Sequence, residues 1–225
     1  PVILMVWITH YIELFVDRIT PKMVKLILNP TLVILISAPI ALIVVGPIGT
    51  IIGNGLAVAI NFLSAKLGFV IVGILAALFP FIVMTGMHHA LTPIGLNAIA
   101  TGGSDTLIFV SQVCSNLAQS GSSFAVAVKS KDSNMKQLAS AAAVSALMGI
   151  TEPALYGVTL KLKRPVVAAS VAAGIGGIVG GLFQVSLYIA QNCIMAIPAF
   201  IGDKGMSNLL YGIIMIIVSF VASFI

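Results

Sequence analysis

Four stretches of this chain hold no charged residue: 26–65, 67–104, 165–202 and 205–225, of 40, 38, 38 and 21 residues. A membrane-spanning helix needs about 20 mostly apolar residues, so each run is long enough for a span and three have length to spare. Charged residues make up 8% of the chain and hydrophobic ones 60%, whereas a soluble domain carries about 25% charged residues. That excludes a soluble enzyme, a disordered chain and a secreted disulfide scaffold. Strand alternation is absent, which argues against an outer-membrane barrel. The expected fold is an all-α integral membrane protein, a polytopic helical bundle.

The positions of the charges set the expected topology. Nine of the eleven basic residues fall in three clusters: Arg18, Lys22, Lys25; Lys129, Lys131, Lys136; and Lys161, Lys163, Arg164. Basic clusters beside apolar runs mark cytoplasmic loops, so the net charge of +5 points to a membrane surface and not to nucleic acid. The sequence predicts an amphipathic interfacial stretch around 13–25, then a span over 26–46 broken by Pro30 and Pro39. A short Gly-rich segment follows at 46–65, then a firm span at 67–87, an irregular piece at 88–105 and a more polar span at 106–128. Spans at 166–190 and 205–225 complete the reading. The number of crossings closes only if 46–65 or 88–105 also re-enters. The chain begins and ends inside apolar stretches (PVILMVWI and SFI), which reads as a piece of a longer membrane protein.

Segment 137–160 (QLASAAAVSALMGITEPALYGVTL) has one crossing's worth of residues but basic residues on both flanks. At its centre stand Gly149, Thr151, Glu152 and Pro153. A re-entrant helical hairpin, entering and leaving on the cytoplasmic side with Glu152 at its broken tip, satisfies both facts. Broken backbone at that depth survives only where protein or a wet cavity surrounds it. A plain kinked span with a basic outer loop is the other reading.

Ionisable groups within a bilayer are costly and mark function, which singles out Glu152, a carboxylate able to accept two hydroxyl hydrogen bonds. His88 and His89 in TGMHHALTP precede Pro93; a neutral imidazole both donates and accepts, which suits a hydroxyl partner. Two interrupted elements offering a His and a Glu form the pattern of a transporter site. Gln112, Ser115, Asn116, Gln119, Ser122 and Ser123 recur at helical spacing as one polar stripe, either interhelical glue or a substrate path. Gly176/Gly180 and Gly177/Gly181 are two offset GxxxG pairs that permit close helix packing. Asp105, after Gly102-Gly103-Ser104, reads as a helix cap. Cys114 and Cys193 lack paired spacing and read as small buried hydrophobes. No zinc, nucleophile-elbow or phosphate-loop motif occurs, and two adjacent His without a third ligand make no metal site. No metal or cofactor is expected.

GITEPALYGV (149–158) with LKLKRP (160–165), VVGPIGTIIGNGL (44–56) and GMHHALTPI (86–94) resemble the membrane enzyme IIC of bacterial phosphoenolpyruvate-dependent sugar phosphotransferase systems. The likeness is to the glucose superfamily and its beta-glucoside, sucrose and trehalose permeases. It implies that a His of the first block and the Glu of the second hold a sugar. Carried over, these are His88 and Glu152, with His89 and Thr151 beside them. It implies group translocation: the sugar 6-hydroxyl accepts a phosphoryl group from a phosphocysteine on a IIB domain, itself supplied through IIA and HPr. Neither cysteine here has the basic, soluble setting of such a donor, so this piece alone is not expected to phosphorylate sugar. The resemblance further implies a homodimer in the bacterial cytoplasmic membrane. Residues 1–66 would form an amphipathic linker and spans leading from a dimerisation part, and 67–225 the sugar-binding transport domain. A beta-glucoside is the favoured substrate; an ion-coupled sugar transporter that releases unmodified sugar is the rival reading.

Overall fold

The computed structural model describes residues 2–21, 24–49 and 66–224, together with the isolated positions 51, 55, 58 and 62. Helix α1 (Val2–Ile19) leads to α2 (Lys25–Ile40), which continues through a π turn at Ala41–Val45 to Gly49. Then come α3 (Val70–Met84), α4 (His88–Gly102), α5 (Ile108–Lys129) and α6 (Ser133–Leu147). The next element, α7, joins Glu152–Ala154, a π turn at Leu155–Thr159 and Leu160–Leu162. Helices α8 (Arg164–Leu182) and α9 (Gly205–Phe224) follow. Among the described residues there is no strand, only an isolated bridge between Asp105 and Leu187. Among the described residues, three helices are long and apolar enough to cross a membrane: Lys25–Gly49, α8 and α9.

Helix α8 lies at the centre because its glycines let neighbours approach on two sides. A Cβ on Gly177 would stand 2.7 Å from the Val72 carbonyl oxygen and 2.8 Å from Gly73 Cα, and one on Gly181 would meet the backbone of Phe69. Gly176 and Gly180 instead face Ser219 and Met215 of α9. The two offset GxxxG pairs therefore serve two different partners, α3 and α9, both antiparallel to α8. Helix α5 fills the remaining side, and its residues from Ile108 to Ser123 are buried all round. The main core joins Val72, Phe109, Val113, Leu117, Ala173, Phe200 and Met215.

Several expected elements change. The span at 26–46 does not break at its prolines; helix continues through Pro30 and Pro39 and widens into a π turn at Ala41–Val45, the turn that precedes Pro47 and in which that proline's missing N–H leaves a carbonyl without its helical partner. The piece at 88–105 is not irregular but a helix to Gly102 that includes Pro93. The span at 166–190 ends early, at Leu182, and residues 183–204 form an irregular segment. That segment is pinned by reciprocal N–H···O bonds between Asp105 and Leu187, each 2.8 Å, and by Asn208. The Asn208 amide donates to the Ser186 and Phe200 carbonyls (2.7 Å each) and accepts from the Ser186 N–H (2.9 Å). Asp105 is a cap as expected: its carboxylate accepts from the N–H groups of Ile108 and Phe109 at 3.2 and 2.7 Å. Lys22 and most of 50–65 lie outside the described residues, and with them the reading of 46–65 as a short segment.

Segment 137–160 folds as two helical arms, α6 and α7, joined at 148–151. The Asp132 side chain caps the first arm by accepting from Asn134 N–H at 3.0 Å. The basic residues Lys129 and Arg164, at the end of α5 and the start of α8, line one cavity with Ser223 and Phe224 of α9.

Candidate functional site

The two sequence blocks that carry chemistry adopt the same local device. At the end of α3 the Gly86 N–H donates to the Val83 carbonyl and the Met87 N–H to that of Ile82, at 2.9 and 3.3 Å. At the end of α6 the Gly149 N–H donates to the Ala146 carbonyl and the Ile150 N–H to that of Ser145, at 3.0 and 3.1 Å. This nested pair of bonds closes a helix on a left-handed residue, here Gly86 at φ +71° and Gly149 at φ +90°. A new helix begins at once, with His88 in its first position after one block and Glu152-Pro153 in its first turn after the other. Pro suits that turn because its missing N–H has no helical partner there, and a helix N-terminus favours the Glu152 carboxylate. Ser145 Oγ further fixes the tip by donating to the Ile150 carbonyl at 2.9 Å.

The two junctions face one cavity of about 480 Å³ lined by His88, His89, Thr92, Thr151 and Glu152. The volume falls within the range of small-molecule sites, about 300–1,000 Å³. All four residues singled out from the sequence thus line the same space: His88 half-buried, His89 and Glu152 exposed, Thr151 buried. The imidazoles of His88 and His89 have ring centroids 4.0 Å apart at 38°. His88 Nδ1 is buried without a hydrogen-bond partner among the described residues. Tyr156 ties the junctions together, its hydroxyl donating to the Met84 carbonyl at 3.5 Å.

The cavity also takes residues that the blocks do not contain. Gln112 and Asn116 of the polar stripe line it, as do Gln191 and Asn192 from the irregular segment. Asn116 Nδ2 donates to the Asn192 carbonyl at 2.6 Å, which fixes that loop against α5. Gln191 and Asn192 were missed by sequence reasoning; the available signal was their adjacent carboxamides in an otherwise apolar run. The stripe divides its labour: Ser122 donates to the backbone of Gln119, while Gln112 and Asn116 reach the cavity. The lining offers amides, imidazoles and one carboxylate against the aromatic walls of Phe79 and Phe109. Such a set offers both donors and acceptors, the chemistry that suits a neutral polyhydroxylated ligand. Among the described residues no group of three His, Cys, Asp or Glu could hold a metal ion.

Comparison with known proteins gives this geometry a family. The chain is 44% identical over 183 residues to the arbutin-, cellobiose- and salicin-specific EIIBC component of Escherichia coli K12, covering 81% of this chain and 38% of that protein. It is 41% identical over 224 residues to the beta-glucoside-specific EIIBCA component of Bacillus subtilis 168, covering 99% and 36%. It is 33% identical over 229 residues to a sucrose-specific EIIBC component of the same organism, covering 100% and 49%. The chain therefore spans between about a third and a half of the length of these relatives. No solved structure was found to match it. The description "Phosphotransferase system, EIIC" matches residues 1–174, and the chain belongs to that family.

Proposed function

We propose that this chain is the sugar-binding membrane portion of a phosphotransferase permease, with the cavity between the two helix junctions as its sugar site. The observation that carries the reading is the convergence of His88, His89, Thr151 and Glu152, over 60 residues apart in sequence, on one cavity. Glu152 accepts hydrogen bonds from sugar hydroxyls, and the His88 imidazole lines the same cavity. The relatives named for beta-glucosides, arbutin, salicin and cellobiose favour a beta-glucoside over sucrose. The names EIIBC and EIIBCA join the C portion to B, and in some cases A, portions, which supports a IIB domain as the phosphoryl donor, resupplied through IIA and HPr. In the transfer, the sugar 6-hydroxyl oxygen forms a bond to phosphorus as the sulfur–phosphorus bond of the IIB phosphocysteine breaks. The thiolate leaves, and the hydroxyl proton passes to Glu152 or His88.

In this reading residues 67–225 are the transport domain and 1–66 lead to a dimerisation part of a homodimer in the bacterial cytoplasmic membrane. The test is Glu152→Gln in the full-length protein, with arbutin, salicin, cellobiose and sucrose as labelled substrates. At least a tenfold loss of both sugar binding and phosphoenolpyruvate-dependent phosphorylation is expected. Unchanged phosphorylation removes Glu152 from the site. Uptake of unmodified sugar without phosphoenolpyruvate points to the ion-coupled alternative.

A further inference from the structure

The most isolated polar side chain in the described residues is Gln119, midway along α5. It is 1% exposed, and neither its amide oxygen nor its amide nitrogen has a hydrogen-bond partner among the described residues. The Ser123 hydroxyl, one turn further on and fully buried, is likewise unpartnered. Buried amides and hydroxyls are nearly always bonded because leaving them unpaired is costly. Two such groups one helical turn apart call for a ligand or an alternative arrangement that uses them.

Their register places them on the same face of α5 as two residues of the His88–Glu152 cavity. At 100° per residue, positions 112, 116, 119 and 123 fall within an arc of about 60°, on a line about 16 Å long. Gln112 and Asn116, at one end, line the cavity that holds His88 and Glu152. Further along the axis, and about 60° round the helix from that arc, Ser122, whose hydroxyl donates to the Gln119 carbonyl at 3.1 Å, lines a second cavity of about 480 Å³ with Lys129 and Arg164. The positive-inside rule places that second cavity toward the cytoplasm. The hairpin arms pack over α5, and α6 presents Ala139, Ala142, Ala143 and Ala146, whose side chains offer no hydrogen bond. Along the α5 axis Gln119 thus lies between the residues that line the two cavities, with Ser123 one turn beyond it, under an element that ends in the tip bearing Glu152.

We propose that Gln119 and Ser123 form an inner hydroxyl-binding subsite, which the sugar occupies after leaving the His88–Glu152 cavity and before reaching the cytoplasmic cavity. This rests on the sugar-transport reading above. The carboxamide donates to one sugar hydroxyl and accepts from another, and the hairpin must shift off α5 to admit the ring. The subsite acts in passage, so initial binding does not depend on it.

The experiment uses the full-length protein in membrane vesicles energised with phosphoenolpyruvate, with labelled salicin and, in parallel, sucrose. Gln119→Leu is expected to bind sugar within twofold of the wild type and to melt at the same or a higher temperature, while its maximal uptake rate falls at least tenfold. Gln119→Asn, which keeps the amide, should recover part of that rate, and Ser123→Ala should lose a smaller part. Wild-type uptake by Gln119→Leu overturns the proposal, because the amide would then be a tolerated defect. So does a lowered melting temperature, because the amide would then hold the fold, and so does a tenfold loss of binding, which moves Gln119 into the first site. If the wild type takes up neither sugar, or Glu152→Gln transports normally, it is the sugar-site reading that fails.

Discussion

Gly149 offers the sharpest test of the site's architecture, because it is held by two independent constraints. Its φ of +90° lies in the left-handed region, where a residue with a Cβ costs about 1–2 kcal/mol. The added Cβ of Gly149→Ala would also stand 2.7 Å from Asn192 Oδ1 and 3.0 Å from Cys193 Cβ. The Asn192 side chain can swing aside, but Cys193 Cβ moves only with its backbone; that shift strains the neighbouring Asn192 carbonyl, which accepts the 2.6 Å bond from Asn116 Nδ2, a neutral hydrogen bond contributing about 1 kcal/mol. The sum is about 2–3 kcal/mol. For a chain of this size each kcal/mol shifts Tm by about 2–4 °C, so thermal melting of the purified protein should fall by about 4–12 °C. Sugar affinity should fall with it, since both walls of the cavity shift. Gly102→Ala is the control: it adds a Cβ with no atom within 4 Å and should stay within about 0.5 kcal/mol of the wild type. A Gly149→Ala protein that melts and binds sugar like the wild type refutes the geometry of the tip.

Three further substitutions test the frame around the site. Asn208→Ala leaves the Ser186 N–H and two carbonyls without their partner, at about 1–3 kcal/mol for the buried donor alone; melting should fall and sugar binding weaken, although Asn208 does not line the cavity. Gly177→Val forces α8 away from the backbone of Val72 and Gly73, and at about 1–3 kcal/mol or more for overpacking should lower the yield of folded protein in detergent. Asp17 accepts from Lys25 Nζ at 2.7 Å and from Asn29 Nδ2 at 2.8 Å, and these bonds hold its carboxyl below the usual range. The pair's contribution is present above the unfolded carboxylate value of about 3.9 and is lost as pH falls through the lower folded value. Proteolysis between α1 and α2 should therefore rise only below about pH 4, and Asp17→Asn should show the same susceptibility at every pH.

How much of this was legible in the sequence depends on how local each determinant is. GITEP announced the junction between α6 and α7 because a helix stop, a carboxylate and a helix start stand within five residues. GMHH carried the same stop and start, yet Pro93 obscured it: a proline was read as ending regular structure, whereas the helix around it continues to Gly102. Pro30 and Pro39 misled in the same way. The polar stripe on α5 was correctly periodic but its use was undecided, because hydrogen-bonding to backbone and facing a cavity leave the same mark in sequence. Here both occur on one helix, with Ser111 and Ser120 bonded to the Val72 and Ala143 carbonyls and Gln112 and Asn116 at the cavity. The irregular segment 183–204 was the part that could not be read. It has the apolar composition of a span, and what stops it from being one lies far off in the chain, in Asp105 and Asn208. Those two residues bond backbone groups of the segment that a helix would have bonded internally, and Gln191 and Asn192, in the same irregular stretch, line the cavity that Glu152 lines. Local stop signals thus place the two helix junctions at the cavity, while partners distant in sequence shape the stretch that completes its lining.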